Sequence, residues 1–195
     1  MARLTLKKIT MEIVKYSKIY EMELCNKNLL FAYDDLNIKF LEVAFYDYNF
    51  MHLVGAGHSE KKLFATEFYS KCINNTLSWK DVHIDEYGTT QLKIEALPLL
   101  LKKNLSAKMV CDVDTLHPKL FTEKISGNTS GFIGFVNSNN VYVPNTLFKA
   151  DIRDYSSECK RVLYVLRKDI NSDEYNEIVY VAKNIERPIV PFVYK

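Results

Sequence analysis

The sequence predicts an α+β fold in which a helical N-terminal half packs on a mostly antiparallel β-sheet formed largely by the C-terminal half. Helical patterns come first along the chain and short strand patterns follow, an order typical of this class. A length of 195 residues, 48% of them hydrophobic, suits one domain with a sizeable core. We expect a single domain over 1–195, with an N-terminal helix within 1–35 and the core over 36–185.

The first half contains helical patterns separated by one strand pattern. We expect helices over 10–31, from Ser59 to Asn74, and over 89–104, with a strand over 36–46 and a turn at 52–57. Thr10 and Ser59 are the residues expected to cap the first two helices, because their hydroxyls can accept from free backbone N–H groups. Pro98 should kink the third helix or delay its start.

The second half reads as a series of short strands. We expect strands at 109–111, 119–121, 131–136, 141–143, 161–167 and 177–182. The sequences Asn137–Asn140 and Asn171–Asp173 are typical of turns, and each lies between two of these strands. They therefore predict two β-hairpins and a mainly antiparallel sheet.

Composition excludes several functional classes. The net charge of +2 is too small to indicate nucleic-acid binding by itself. The four cysteines are widely spaced with no CxxC pair, so no zinc site is expected, and reduced thiols in a cytoplasmic protein are the default. The longest apolar run, near residue 97, is too short to cross a bilayer. We expect no metal, no cofactor and no membrane contact.

His52 is the first candidate for chemistry. It lies among large apolar side chains and three residues before Gly55, which allows backbone or substrate to approach closely. An imidazole in such a place can have its pKa tuned and its tautomer fixed. The competing interpretation is a core histidine that is packed and has no catalytic role.

Several short motifs occur in an order that resembles one known family. They are His52-Leu53-Val54-Gly55, Phe68-Tyr69 through Leu77-Ser78, Gly88-Thr89-Thr90 with Lys93, Tyr142-Val143-Pro144-Asn145, Asp151-Ile152-Arg153, and a late strand ending at Lys168. Together they resemble the fourth phage group of barnase–EndoU–colicin–RelE-like nuclease domains, over about residues 40–170. The resemblance implies a nuclease-like core with an antiparallel sheet and metal-independent cleavage of RNA.

Such cleavage needs a base for the 2′-hydroxyl proton, an acid for the leaving 5′-oxygen, and cations for the phosphate. We predict His52, Lys93 and Arg153 as the catalytic residues. Imidazole exchanges protons near neutral pH, and guanidinium suits the non-bridging oxygens of a phosphate. For Arg153, an ion pair with a neighbouring carboxylate is the alternative.

The predicted substrate-binding residues are Thr89, Thr90, Tyr142, Asn145 and Lys168. The two threonines begin a helix whose N–H groups, hydroxyls and nearby lysine can hold a phosphate, but a simple solvated helix start fits them as well. Tyr142 and Asn145, expected in a turn around Pro144, can stack on a base or read its edge, while a tyrosine in an alternating strand is more often core. Lys168 is a second candidate for phosphate contact.

The predicted activity is that of an endoribonuclease that acts on RNA, with tRNA as one candidate substrate. We expect it to serve as a toxin or as a phage or mobile-element effector, with a neutralising protein as one candidate partner. Two other functions stay open. The alternative is a non-catalytic RNA- or protein-binding module that retains the nuclease fold. An ADP-ribosyl transferase ranks below both, because its usual glutamate cannot be placed in this sequence.

Overall fold

The architecture comes from a computed structural model that describes residues 4–56, 63–84, 89–113, 121–191 and 194. The helices in these residues are α1 (Leu6–Glu23), α2 (Asn49–Val54), α3 (Ala65–Ile73), α4 (Thr90–Leu100) and a short 3-10 helix (Ile152–Asp154). Helix α1 begins after Thr5, whose hydroxyl accepts from the Lys8 N–H. The strands are β1 (Lys27–Asp35), β2 (Asn37–Phe45), β3 (Met109–Asp112), β4 (Lys124–Asn128), β5 (Gly131–Ser138), β6 (Val141–Phe148), β7 (Cys159–Asp169) and β8 (Glu177–Val181).

These strands form one strongly curved sheet. Its order is β1-β2-β6-β5-β4-β3-β7-β8. Because β1 also pairs with β7, the first seven strands in this order form a closed ring. All pairs are antiparallel except β2–β6, which meet in parallel at Val43 and Tyr142. The rings of Phe31 in β1 and Phe135 in β5 lie 6.3 Å apart, although two strands separate them in the order. The curvature therefore brings opposite strands together around an apolar interior.

The helices cover the concave surface of this sheet. Successive residues of a strand point to opposite surfaces. In β1, Leu29 and Phe31 join the main core with residues of α1 to α4, whereas Leu30 and Ala32 join a second cluster on the convex surface. A third cluster, around Phe132 and Ile152, lies on that convex surface under the 3-10 helix. The α+β prediction, with N-terminal helices on a mostly antiparallel sheet, is confirmed.

The expected helix over 10–31 is wrong at both ends. Thr10 is buried inside α1, where its hydroxyl donates to the Leu6 carbonyl, so it is not the cap. The helix ends at Glu23, and Asn26, with φ of 56°, turns the chain into β1. This strand is buried on both surfaces, so its apolar residues do not alternate and can be taken for a continuing helix. The N-terminal region 1–35 thus contributes a strand to the sheet as well as a helix.

The turn expected at 52–57 is wrong at 52–54, which are helical, whereas the chain does turn at Gly55. Residues 49–54 form α2, a helix too short to show a hydrophobic period, and Gly55 ends it with φ of 64°. The strand predicted over 36–46 is confirmed as β2, and the helix predicted over 89–104 is confirmed as the shorter α4, which contains Pro98. The helix expected from Ser59 to Asn74 forms as α3, which ends at Ile73 as expected but begins only at Ala65, with Phe64 and not the expected serine at its N-cap. Ser59 itself lies outside the described residues.

In the second half, the two hairpins are confirmed. The β5–β6 turn places Asn139 and Asn140 at positive φ, and β7 pairs with β8 across the second turn. A strand was expected at 119–121, but residue 121 has no regular secondary structure. Residues 119 and 120 lie outside the described part of the chain. Strand β4 follows it, and was not predicted. The turn expected around Pro144 is wrong as well, because β6 runs on through it to Phe148 with a register shift opposite Phe135.

The cysteines correct another expectation. Cys111 in β3 and Cys159 in β7 are register partners and form a disulfide, so these two thiols are not reduced. Cys25 and Cys72 are buried free thiols. Burial raises the pKa of Cys25 to about 11 and that of Cys72 to about 12, which leaves little reactive thiolate at neutral pH.

Candidate active site

Helix α2 places His52 at the surface next to a left-handed turn. The apolar side chains Phe50, Leu53 and Val54 are fully buried, and they fix the helix on the core so that His52 lies on its exposed side. Gly55 follows in the left-handed conformation, and its N–H donates to the His52 carbonyl at 3.1 Å. A non-glycine residue would be strained there. The imidazole is therefore not a packed core group, which was the competing interpretation.

Helix α4 brings Lys93 onto the same turn. The Lys93 Nζ donates to the His52 carbonyl oxygen at 2.8 Å, across 41 positions of sequence. Its aliphatic chain crosses Gly55 so closely that a Cβ at that position would stand 2.9 Å from the Lys93 Cδ. The lysine is half-buried as a result. We call the group of His52, Gly55, Thr89, Thr90 and Lys93 the α2–α4 junction.

The environment of Lys93 changes its acid–base chemistry. Burial disfavours the charged ammonium and lowers the pKa of Lys93 from 10.5 to about 8. A group with this pKa is mostly protonated at neutral pH but gives up its proton easily. A pKa near the working pH is the property that general acid–base catalysis requires.

The two threonines have different environments. Thr90 is only 1% exposed, and its hydroxyl donates to the Gly55 carbonyl at 2.6 Å. Thr89 is exposed and precedes the first turn of α4; its carbonyl accepts from the Lys93 N–H, while its side chain makes no capping hydrogen bond. Both thus belong to the α2–α4 junction, but Thr89 is the one whose side chain is open to a ligand.

Arg153 lies in a different setting. Its guanidinium is paired with Asp151, with the Nε at 3.0 Å from Oδ1 and the Nη2 at 2.6 Å from Oδ2. The pair lowers the pKa of Asp151 and raises that of Arg153. The 3-10 helix that carries Arg153 is anchored through Ile152 on the convex surface, whereas α2 and α4 cover the concave one. The neighbouring-carboxylate alternative thus describes the structure, and no observed contact places Arg153 in the α2–α4 junction.

Tyr142 and Asn145 both lie in β6, the strand on which α2 packs. Tyr142 is half-buried and packs against the main core, with β2 alongside at Val43. The Asn145 amide donates to the Phe121 carbonyl, and its side-chain oxygen is buried without a hydrogen bond from any residue that the structure describes. These contacts give each residue a structural environment and leave its predicted contact with RNA as a prediction.

Lys168 lies apart from these residues. It is the second-last residue of β7 and stands opposite Asn28 of β1, with its Nζ 4.9 Å from the centre of the Tyr175 ring. Tyr175 belongs to the cluster on the convex surface. The observed contacts of Lys168 are therefore with the other surface of the sheet.

The sequence did not indicate how the junction is built. Gly55 was noted as a point of close approach, but nothing in the sequence identified the Lys93 chain as the group that approaches it. His58, six residues after His52 and a second candidate for proton transfer, lies outside the described residues. Within the described part of the chain, no cluster of three or more His, Cys, Asp or Glu side chains is placed to hold a metal ion. None of the helices described is both long and apolar enough to span a membrane.

The fold is that of an α+β protein, and at the α2–α4 junction the His52 motif meets the Thr89, Thr90 and Lys93 motif, where burial lowers the lysine pKa. The family model described as phage-Barnase-EndoU-ColicinE5/D-RelE like nuclease4 matches residues 12–184. The chain therefore belongs to the fourth phage group of barnase–EndoU–colicin–RelE-like nucleases, and nucleic acid is the substrate that this family implies. No curated protein and no solved structure gives a significant match.

Proposed function

We propose that this nuclease cleaves RNA without a metal ion, with His52 and Lys93 exchanging the two protons of the reaction. The single observation that carries the proposal is the contact of the Lys93 ammonium with the His52 backbone, in a place where burial lowers the lysine pKa to about 8. It joins two candidate acid–base groups at one exposed turn. A surface lysine in water would keep a much higher pKa and would be a poor proton donor at neutral pH.

The reaction can be written with every atom accounted for. The neutral imidazole of His52 takes the proton of a 2′-hydroxyl, and the resulting oxygen attacks the adjacent phosphorus. The bond from phosphorus to the 5′-oxygen breaks, and the Lys93 ammonium gives that oxygen a proton. The products are a 2′,3′-cyclic phosphate and a free 5′-hydroxyl, and no metal or redox partner is needed.

The roles of the other predicted residues follow from their positions. Thr89, at the N-cap of α4 and four residues before Lys93, has an exposed side chain, which suits its hydroxyl to a phosphate oxygen. Tyr142 and Asn145 lie on the strand that α2 contacts, so a base bound beside α2 can reach this strand. Arg153 and Lys168 remain predicted phosphate contacts, and binding there requires the RNA to extend beyond the junction; for Arg153 it also requires competition with Asp151.

The test is cleavage of single-stranded RNA and tRNA by the purified chain in excess EDTA. We expect the wild type to cut, and His52→Ala to lose about 10²–10⁴-fold in rate, the usual loss for an acid–base group. His83→Ala is the matched control, because it removes another exposed histidine. Equal cleavage by the wild type and His52→Ala would defeat the proposal. RNA binding without any turnover would support the non-catalytic module instead.

We further propose that the activity is used by a toxin or a phage or mobile-element effector in a cytoplasm, where a neutralising protein is its candidate partner. Such a protein should arrest growth when its synthesis is induced in a bacterial cell, and His52→Ala at the same level should not. Growth arrest by both forms would show that the effect does not depend on cleavage.

A further inference from the structure

We propose that Gly55 and Thr90 are positioning residues that hold the Lys93 side chain against the His52 turn. The inference rests on the proposed function, since it concerns how the lysine of that site is kept ready for proton transfer. It gives the pair a role that the sequence alone did not suggest: Thr90 was predicted as a substrate contact, and Gly55 had no assigned role in the reaction.

The contact of Thr90 with Gly55 fastens α4 to the end of α2. Its hydroxyl donates to the Gly55 carbonyl at 2.6 Å, and the residue is 1% exposed. A buried hydroxyl in such a bond is held firmly, because breaking the bond would leave a carbonyl unsatisfied away from water. Thr90 and Lys93 are three residues apart in the same helix, so they lie on one face of it. The bond therefore also fixes the start of the Lys93 side chain.

The absence of a side chain at Gly55 gives Lys93 its path. A Cβ there would stand 2.9 Å from the Lys93 Cδ and 3.4 Å from the Thr90 Cα. The first of these distances is too short for two carbon atoms, so any larger residue would push the lysine chain aside. With glycine, the chain lies across the turn and its ammonium reaches the His52 carbonyl. The same packing keeps water from much of the side chain.

Four residues of the site, His52, Gly55, Thr90 and Lys93, are thus joined by a chain of contacts. Gly55 donates its N–H to the His52 carbonyl, and the Lys93 ammonium donates to the same oxygen. The Gly55 carbonyl accepts from Thr90. If either the glycine or the hydroxyl is removed, the lysine side chain should move into water and regain an ordinary affinity for protons.

The experiment measures the Lys93 pKa directly, by NMR titration of the lysine side chains in the full-length protein without RNA. The Lys93 signal is assigned as the one that disappears in Lys93→Met. Thr90→Val removes the hydroxyl at almost constant volume, and we expect it to raise the Lys93 pKa from about 8 toward 10.5, at least a tenfold gain in proton affinity. Thr90→Ser keeps the hydroxyl and should restore the wild-type titration.

Gly55→Asn provides a second and independent variant. Asparagine tolerates a left-handed backbone better than most residues, so this change adds a Cβ beside Lys93 with less backbone strain than other substitutions would cause. We expect it to raise the Lys93 pKa as Thr90→Val does, while the fold is retained. Unchanged Lys93 titration in either folded variant would overturn the inference. Because no RNA is present, this result is separate from the cleavage assay: a protein that cuts no RNA refutes the proposed function and leaves the positioning role to be judged by the titration.

Discussion

The lowered pKa of Lys93 predicts how stability depends on pH. In the unfolded chain this lysine has its ordinary pKa of 10.5, and in the folded protein burial lowers the pKa to about 8. Between these values the unfolded state binds more protons, so the stability of the fold should rise with pH. Below pH 8 both states are protonated and the folded state carries the full cost of the buried charge. Above 10.5 that cost has disappeared.

The size of the effect follows from the two pKa values. A fall from 10.5 to about 8 corresponds to about 3 kcal/mol if the group were wholly shielded from water. Lys93 is half-buried, so solvent screening reduces this to about 1–2 kcal/mol. Lys93→Met has no such charge, and its stability should lack this contribution at every pH.

The assay is urea unfolding of the wild type and Lys93→Met from pH 7 to pH 10. The wild type should gain about 1–2 kcal/mol relative to the variant as pH rises through this range. Groups that titrate in both proteins cancel in the difference. Lys102→Met, at an exposed position, should follow the wild type throughout. A difference between the wild type and Lys93→Met that does not change with pH would refute the assignment of a buried ammonium at this site.

Two other changes test what holds the sheet and helices together. Arg167 is buried and donates to the carboxylates of Glu23 and Glu177, so Arg167→Ala should cost about 1.5–3 kcal/mol in the free energy of unfolding, measured in urea, because it removes hydrogen bonds to charged groups. Replacing Cys111 and Cys159 together by serine opens a loop of 48 residues and should cost about 2–4 kcal/mol, with the wild type in dithiothreitol losing the same amount. A fully stable double variant would show that β3 and β7 hold together without the bond.

The parts of the fold that were predicted correctly carry their own local signals. Helix α3 ends before Asn74 as expected, because the apolar stripe of an amphipathic helix can be read without knowledge of its partner. Helix α4 forms within its predicted range, but Leu92 is exposed and Ile94 and Leu97 face the core instead. The asparagines at 139 and 140 take the positive φ that their turn requires. Strand β1 was missed for the opposite reason, since both of its surfaces are covered and its sequence shows no alternation.

The site could be predicted only in part. His52 and Lys93 were both chosen from the sequence, but their contact joins positions 41 residues apart and depends on how α2 and α4 pack. The low pKa of Lys93 comes from burial, which exists only in the folded chain. Arg153 was placed with them by the order of the family motifs, and its ion pair with Asp151 is the local alternative that the sequence had left open.

The rate of RNA cleavage as a function of pH tests the central claim most directly. Single-turnover rates in EDTA are measured from pH 5 to pH 10 for the wild type and for Lys93→Arg, which keeps the positive charge but does not release its proton in this range. The wild-type rate should fall above about pH 8 as Lys93 becomes neutral, and Lys93→Arg should show a lower rate without that fall. The same fall above pH 8 in both proteins would contradict a role for Lys93 as the proton donor.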